Sequence, residues 1–135
     1  MTDRNEIERI VRASYDARRR NDVDATLKHF HPDARFRISG SPALGPMTKP
    51  TVGHGDLRQM FEQLFPQWDW KDFHVTNIHV EGDTAYVHLA GKIRYIPTGK
   101  VIETEILDRL ILKEGLIVEF TEFLDTHLAV ATMQP

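Results

Sequence analysis

Two carboxylates stand where the surrounding pattern asks for apolar side chains. Asp108 interrupts Ile106-Leu107-Asp108-Arg109-Leu110, and Glu122 interrupts Phe120-Thr121-Glu122-Phe123-Leu124. Both segments alternate with the period of two that marks a half-buried strand, and both carboxylates fall on the apolar side. Apolar surroundings deny a carboxylate its hydration, and a second carboxylate nearby adds repulsion. Both effects raise a pKa. Proteins prepare general acids and bases for work near neutral pH in this way. The plainer alternative for each is an internal hydrogen bond, for example to Ser14 or Tyr15 from the first helix.

The elements that must position these groups follow from periodicity and turn chemistry. Ile7, Ile10, Val11, Ser14 and Ala17 recur at three and four residues and predict an amphipathic helix over about residues 5–20. Asp22 has N-cap chemistry for a second short helix carrying Val23, Leu27 and Phe30, ended by Pro32. Ala34–Ser39 alternates as a first strand with Phe36 and Ile38 on one face. The Gly- and Pro-rich segment 40–55 reads as a loop. Asp56 then caps a third helix bearing Leu57, Met60, Phe61, Leu64 and Phe65, closed by Pro66. Beyond Trp70, turn signals at Gly82-Asp83, Thr98-Gly99 and Lys113-Glu114-Gly115 divide the chain into strands near 73–81, 84–97, 100–112 and 116–126.

The register can be argued from charge. A two-residue turn at Thr98-Gly99 sets Arg94 opposite Glu103 and Lys92 opposite Glu105 on one face. The other face then holds Val87, Leu89 and Ile93 with Ile102, Ile106 and Leu110. Leu89 becomes the partner of Asp108. A three-residue turn at Lys113-Glu114-Gly115 places Phe120 opposite Asp108, with Glu122 diagonal to it beside Ile106. A one-residue slip would turn each strand over and destroy the separation of faces. Helices followed by an antiparallel meander make an α+β domain, with one unit spanning 1–135.

The order of elements and the segments His31-Pro32-Asp33, Leu107-Asp108-Arg109, Lys113-Glu114-Gly115-Leu116-Ile117 and Glu122-Phe123-Leu124-Asp125 resemble the nuclear transport factor 2-like superfamily, in its SnoaL-like polyketide cyclase and ketosteroid isomerase-like branch. The resemblance covers nearly the whole chain. It implies a cone-shaped domain in which three N-terminal helices close over a curved, mainly antiparallel sheet around an apolar pocket, usually in a dimer. Ketosteroid isomerases use a carboxylate base on the first strand, a Tyr donor on the first helix and an Asp donor on the third hairpin strand. Aligned here, the base position is Ile38, the Tyr position is Ser14 with Tyr15 one residue on, and only Asp108 matches its counterpart. Limonene-epoxide hydrolase-like members need an Arg where this chain has Ile106. The polyketide cyclase branch fits better, since it places acid/base residues on the last two strands, as Asp108 and Glu122 are. It generally has His where this chain has Asp108.

Composition narrows the function further. The chain has 135 residues, 17 Lys and Arg against 20 Asp and Glu, a net charge of −3, and no cysteine. Bulk charge argues against a nucleic-acid binder, and the missing thiols exclude disulfides, thiolate catalysis and Cys-type zinc or iron–sulfur sites. No apolar run suits a membrane span, and the charged first twenty residues lack a signal-peptide core, so a cytoplasmic protein is expected. The seven histidines include no convincing ligand set, and no metal or cofactor is expected. Arg18-Arg19-Arg20 reads as a solvated helix end.

These observations predict an apolar pocket lined by Ser14, Tyr15, Phe36, Ile38, Leu89, Ile106, Asp108, Phe120 and Glu122. Met60, Phe61, Phe65 and Trp68 would stand at its wall, with His74 facing in by parity. Three functions fit. One is a cofactor-independent isomerase or cyclase transferring a proton next to a carbonyl, with Asp108 as acid/base, Glu122 as its partner and Tyr15 as donor. The others are a non-catalytic binder of a hydrophobic small molecule and a dimeric interaction module. A homodimer is expected through the outer sheet face, which carries Tyr86, His88, Lys92, Arg94, Glu103, Glu105, Arg109 and Ile111.

Overall fold

A computed structural model describes residues 3–135. Four helices, α1 (Arg4–Arg19), α2 (Val23–Leu27), α3 (His54–Leu64) and α4 (Thr126–Met133), pack with a six-stranded sheet of β1 (Phe30–Ile38), β2 (Thr51–Val52), β3 (Trp68–Glu81), β4 (Thr84–Tyr95), β5 (Lys100–Lys113) and β6 (Leu116–Leu124). The spatial order is β2-β1-β6-β5-β4-β3, antiparallel throughout except where β1 runs parallel to β6. The α+β expectation therefore holds. No described helix is long and apolar enough to cross a membrane.

Helix α1 forms because its apolar residues share a stripe and both ends are capped. The Asp3 side chain accepts from the Asn5 N–H, and Arg18 and Arg19 complement the C-terminal dipole. Its stripe is buried over β3, with Ile7 and Val11 fully inaccessible. Asp22 caps α2 by accepting from Ala25 N–H, as its position suggests.

The structure corrects several boundaries. Helix α2 ends at Leu27, and Phe30 opens β1, because the Ile117 N–H donates to His29 O and draws the chain into the sheet. Pro32 thus lies within β1, in the irregular stretch between Phe30 and Arg35 where no ladder hydrogen bond is required of it. Helix α3 starts at His54 with Gly53 as N-cap, leaving Asp56 in its first turn, where a negative charge suits the dipole. Strand β3 begins at Trp68 and not near residue 73. The short β2 interrupts the loop, and α4 takes the place of the last strand's expected end, with Asp125 capping it through Leu128 N–H.

The β4–β5 register differs from expectation by two residues, and the β5–β6 register by one at the turn and two beyond it, so Asp108 and Glu122 keep their face while Ile117 turns inward. The β4–β5 connection is a four-residue loop with Tyr95 opposite Lys100, so Lys92 faces Glu103 and Val87 faces Asp108. The β5–β6 turn uses Glu114 and Gly115, both at positive φ (52° and 78°), as a type I′ hairpin requires. A bulge between Ile111 and Leu112 then shifts the pairing further. The consequence matters for the site: Asp108 lies directly opposite Glu122, not diagonal to it.

Two irregularities in β3, between Asp69 and Asp72 and between Val75 and Asn77, bend the sheet around the helices. The apolar core fills the concave side.

Candidate functional site

The concave face encloses an apolar cavity of about 120 Å³. This is well above the ~10–15 Å³ needed to admit one water. Aromatic side chains from β1, α3, the turn after α3 and β6 form part of its wall. Phe36 packs on Phe120 with ring centroids 5.0 Å apart, and Phe61 packs on Phe65 at the same separation. Ile38, Ile106 and Trp68 complete the lining that the sequence predicted, together with Ser14 and Tyr15 from α1. The end of α4 contributes Ala129 and Met133, and the loop before β2 contributes Leu44 and Met47.

Four expected residues fall elsewhere. Leu89 and Asp108 are both fully buried behind the wall and do not line the cavity. Parity gives the face of a strand but not the depth at which a side chain lies. Met60 is half-buried on α3 without reaching the cavity, and His74 is exposed. The bulge between Asp69 and Asp72 explains His74: it reverses the alternation, so Trp70 and Phe73 both turn inward and His74 turns out.

The polar groups are arranged in two layers. Behind the wall, the Tyr15 hydroxyl donates to Oδ2 of Asp108 at 2.5 Å, while Oδ1 of Asp108 has no partner among the described residues. Burial pushes the Asp108 carboxyl well above its usual range, and Glu122 opposite raises it further; the Tyr15 hydrogen bond opposes both. Burial also raises the Tyr15 phenol, with the Asp108 charge adding to it, so the hydroxyl stays a donor. The expected internal hydrogen bond and the expected buried acid pair are thus both present on one residue.

In the wall itself stands Glu122, lifted by burial to about 7, with Arg18 pulling the other way. Its place follows from β6 running between β5 and β1, so that Ile38 on one side and Asp108 on the other are its register partners.

Arg18 is a further residue that the sequence reading placed wrongly. It is not a solvated helix end: it is 7% exposed and lines the cavity. Its guanidinium carbon lies 4.3 Å from the ring centre of Phe65 and 4.6 Å from that of Trp70. It donates to Asn21 Oδ1 at 3.1 Å and to the Trp68 carbonyl at 3.2 Å. Burial lowers its pKa to about 10 against the pull of Glu122 and Asp69, which leaves it charged at neutral pH. The signal was in the spacing, because Ile7, Val11, Ser14 and Arg18 continue one stripe of α1.

A curved α+β shell around an apolar cavity with a few convergent polar groups is a setting in which small-molecule sites are commonly found. The SnoaL-like domain family matches residues 11–120, and the chain belongs to that family. Solved structures agree on the fold. An NTF2-like protein of Burkholderia thailandensis is 28% identical, with 96% of this chain and 98% of that one covered at a TM-score of 0.78. A candidate polyketide cyclase of Xanthomonas campestris pv. campestris is 15% identical, with 98% and 100% covered at 0.78. An epoxide hydrolase/cyclase-like enzyme of pyran ring formation in the polyether salinomycin is 20% identical, with 93% and 95% covered at 0.77. No curated protein matches the chain.

Proposed function

We propose that this chain binds an apolar, carbonyl-bearing small molecule and transfers a proton next to its carbonyl, an isomerase- or cyclase-type step that calls on no cofactor. The observation that carries this is Glu122, a carboxyl group in the wall of an apolar cavity, with a second carboxyl directly across the strand. A base that titrates near neutral pH is well matched to such a transfer. In the step, the Glu122 carboxylate takes a proton from the carbon beside the carbonyl, and the C–H electron pair moves into an enolate. Isomerisation returns the proton to a different carbon. In cyclisation the enolate carbon attacks a second carbonyl of the same molecule, and that oxygen takes the proton. Asp108 lies behind Glu122 on the neighbouring strand and is held by Tyr15, so these two are positioning residues in this scheme. Cyclase and isomerase assignments among fold neighbours are compatible with it.

The test is deuterium exchange. Aryl ketones and 1,3-diketones are incubated with the protein in D₂O and followed by NMR at their α-positions. Exchange above the buffer rate is expected, with loss of at least about a hundredfold in Glu122→Gln, the lower end of what a general base contributes. Ligands that bind without exchanging would favour the second reading, a non-catalytic carrier. The apolar Ile38 beside Glu122, where ketosteroid isomerases keep their base, is the feature that favours it.

We also propose that the chain forms a homodimer through the outer sheet face, where Tyr86, Leu107 and Phe123 are 40–43% exposed.

A further inference from the structure

Within the cavity, charge is confined and its geometry is unusual. Arg18 is the only cation among the described residues that line it. Its guanidinium is held by two ring faces, the Asn21 amide oxygen and the Trp68 carbonyl. Those two hydrogen bonds use two of its five N–H donors. Glu122 shares the cavity, yet no ion pair within 4.0 Å joins it to Arg18 among the described residues. A buried cation normally sits against its counter-ion, because the cost of leaving water is otherwise uncompensated. Here the rings and the neutral acceptors fix the cation in place at the cavity wall, with donors beyond those two bonds.

We propose that Arg18 is the anchor for an acidic group on the ligand, so that the pocket takes an apolar molecule carrying a carboxylate or an equally acidic enol. This rests on the pocket described above but not on catalysis. A planar guanidinium matches the two oxygens of such an anion, and aromatic walls suit the remainder of the molecule. Glu122, in the wall of the same cavity, would then meet another part of the bound molecule.

A matched probe pair tests this: 2-naphthoate against 2-naphthamide, which has nearly the same shape and no charge. Both tryptophans, Trp68 and Trp70, line the cavity, so quenching of intrinsic fluorescence reports occupancy. The acid is expected to bind at least about tenfold more tightly, the factor carried by one charge-assisted hydrogen bond. In Arg18→Met, which keeps an apolar contact for the two rings, the preference should vanish while the amide still binds. Arg18→Lys, which keeps the charge but loses the planar fork, should hold part of it. Should the methionine variant fail to fold, the wild-type comparison and the lysine variant still decide. Equal affinity of the wild type for both probes, or no binding of the acid at millimolar concentration, overturns the inference. Proton exchange of neutral ketones that persists alongside equal probe affinities would sink the inference alone. An acid preference without any exchange would sink the catalytic reading alone.

Discussion

At position 108 a carboxylate is sealed from water with one hydrogen-bond donor and no cation beside it among the described residues. A bond from a neutral donor to a charged acceptor contributes about 1.5–3 kcal/mol. Burying the charge costs several kcal/mol. Burial therefore wins and the carboxyl is raised, as it is in Glu122. The folded protein holds these protons more tightly than the unfolded chain does. Stability should fall as pH rises above the unfolded carboxyl value, and for Glu122 the fall extends to about 7. Asp108→Asn keeps an acceptor for Tyr15 and removes the charge. It should stabilise the protein by about 1–4 kcal/mol at about pH 8, with the gain shrinking as pH falls toward the unfolded carboxyl value of about 4. Thermal melts at both pH values check this; a lower midpoint for the variant at the higher pH would mean the charged hydrogen bond dominates. The two carboxylates were legible because each broke an apolar alternation, and parity survives a two-residue error in register. Arg18 was not, because a run of three arginines resembles solvated charge. Only the stripe through Ile7, Val11 and Ser14 separates it from Arg19 and Arg20.

The elements were legible in proportion to how local their signals are. Hairpins announced themselves at Gly82, Gly99 and Gly115, all at positive φ, and α1 through its stripe. Helix α4 was hidden by Val130, Thr132 and small residues that suit a strand as well, and only the Asp125-Thr126 cap hinted at it. Bulges were hidden too, since they arise from fitting one strand to its neighbour. Gly91 shows how tightly that fit is drawn. It has φ of 137°, and a Cβ there would come 2.2 Å from the Asp72 carbonyl oxygen, beside the β3 irregularity that turns the sheet. Neither clash partner can move without breaking the ladder. Gly91→Ala should cost at least about 2 kcal/mol, combining backbone strain with a displaced strand. Urea denaturation measures it. A loss no larger than the few tenths typical of surface changes would show that the bend does not depend on this glycine.

On the scale of the whole molecule, the sheet has one face committed to the cavity and one left over. The leftover face has ordinary polar fittings: Lys92 faces Glu103, and His88 bonds Glu105 at 2.9 Å. Such exposed pairs contribute little, about 0.2–1 kcal/mol each. Among them Leu107 and Phe123 are direct cross-strand partners, 43% and 41% exposed, with Tyr86 nearby at 40%. Large apolar side chains clustered in water and rimmed by charge are the composition of an interface core with its rim. Leu128 of α4 borders the same patch, while Ala129 and Met133 of that helix face the cavity. A second copy seated on this face would therefore press on the helix that closes part of the pocket. Sedimentation at micromolar concentration should give twice the chain mass. Leu107→Asp places a charge at the centre of the patch and should yield monomers with an unchanged fold by circular dichroism, because the side chain makes no core contact to lose. A wild-type monomer, or a dimer indifferent to Leu107→Asp, would move the interface elsewhere or remove it.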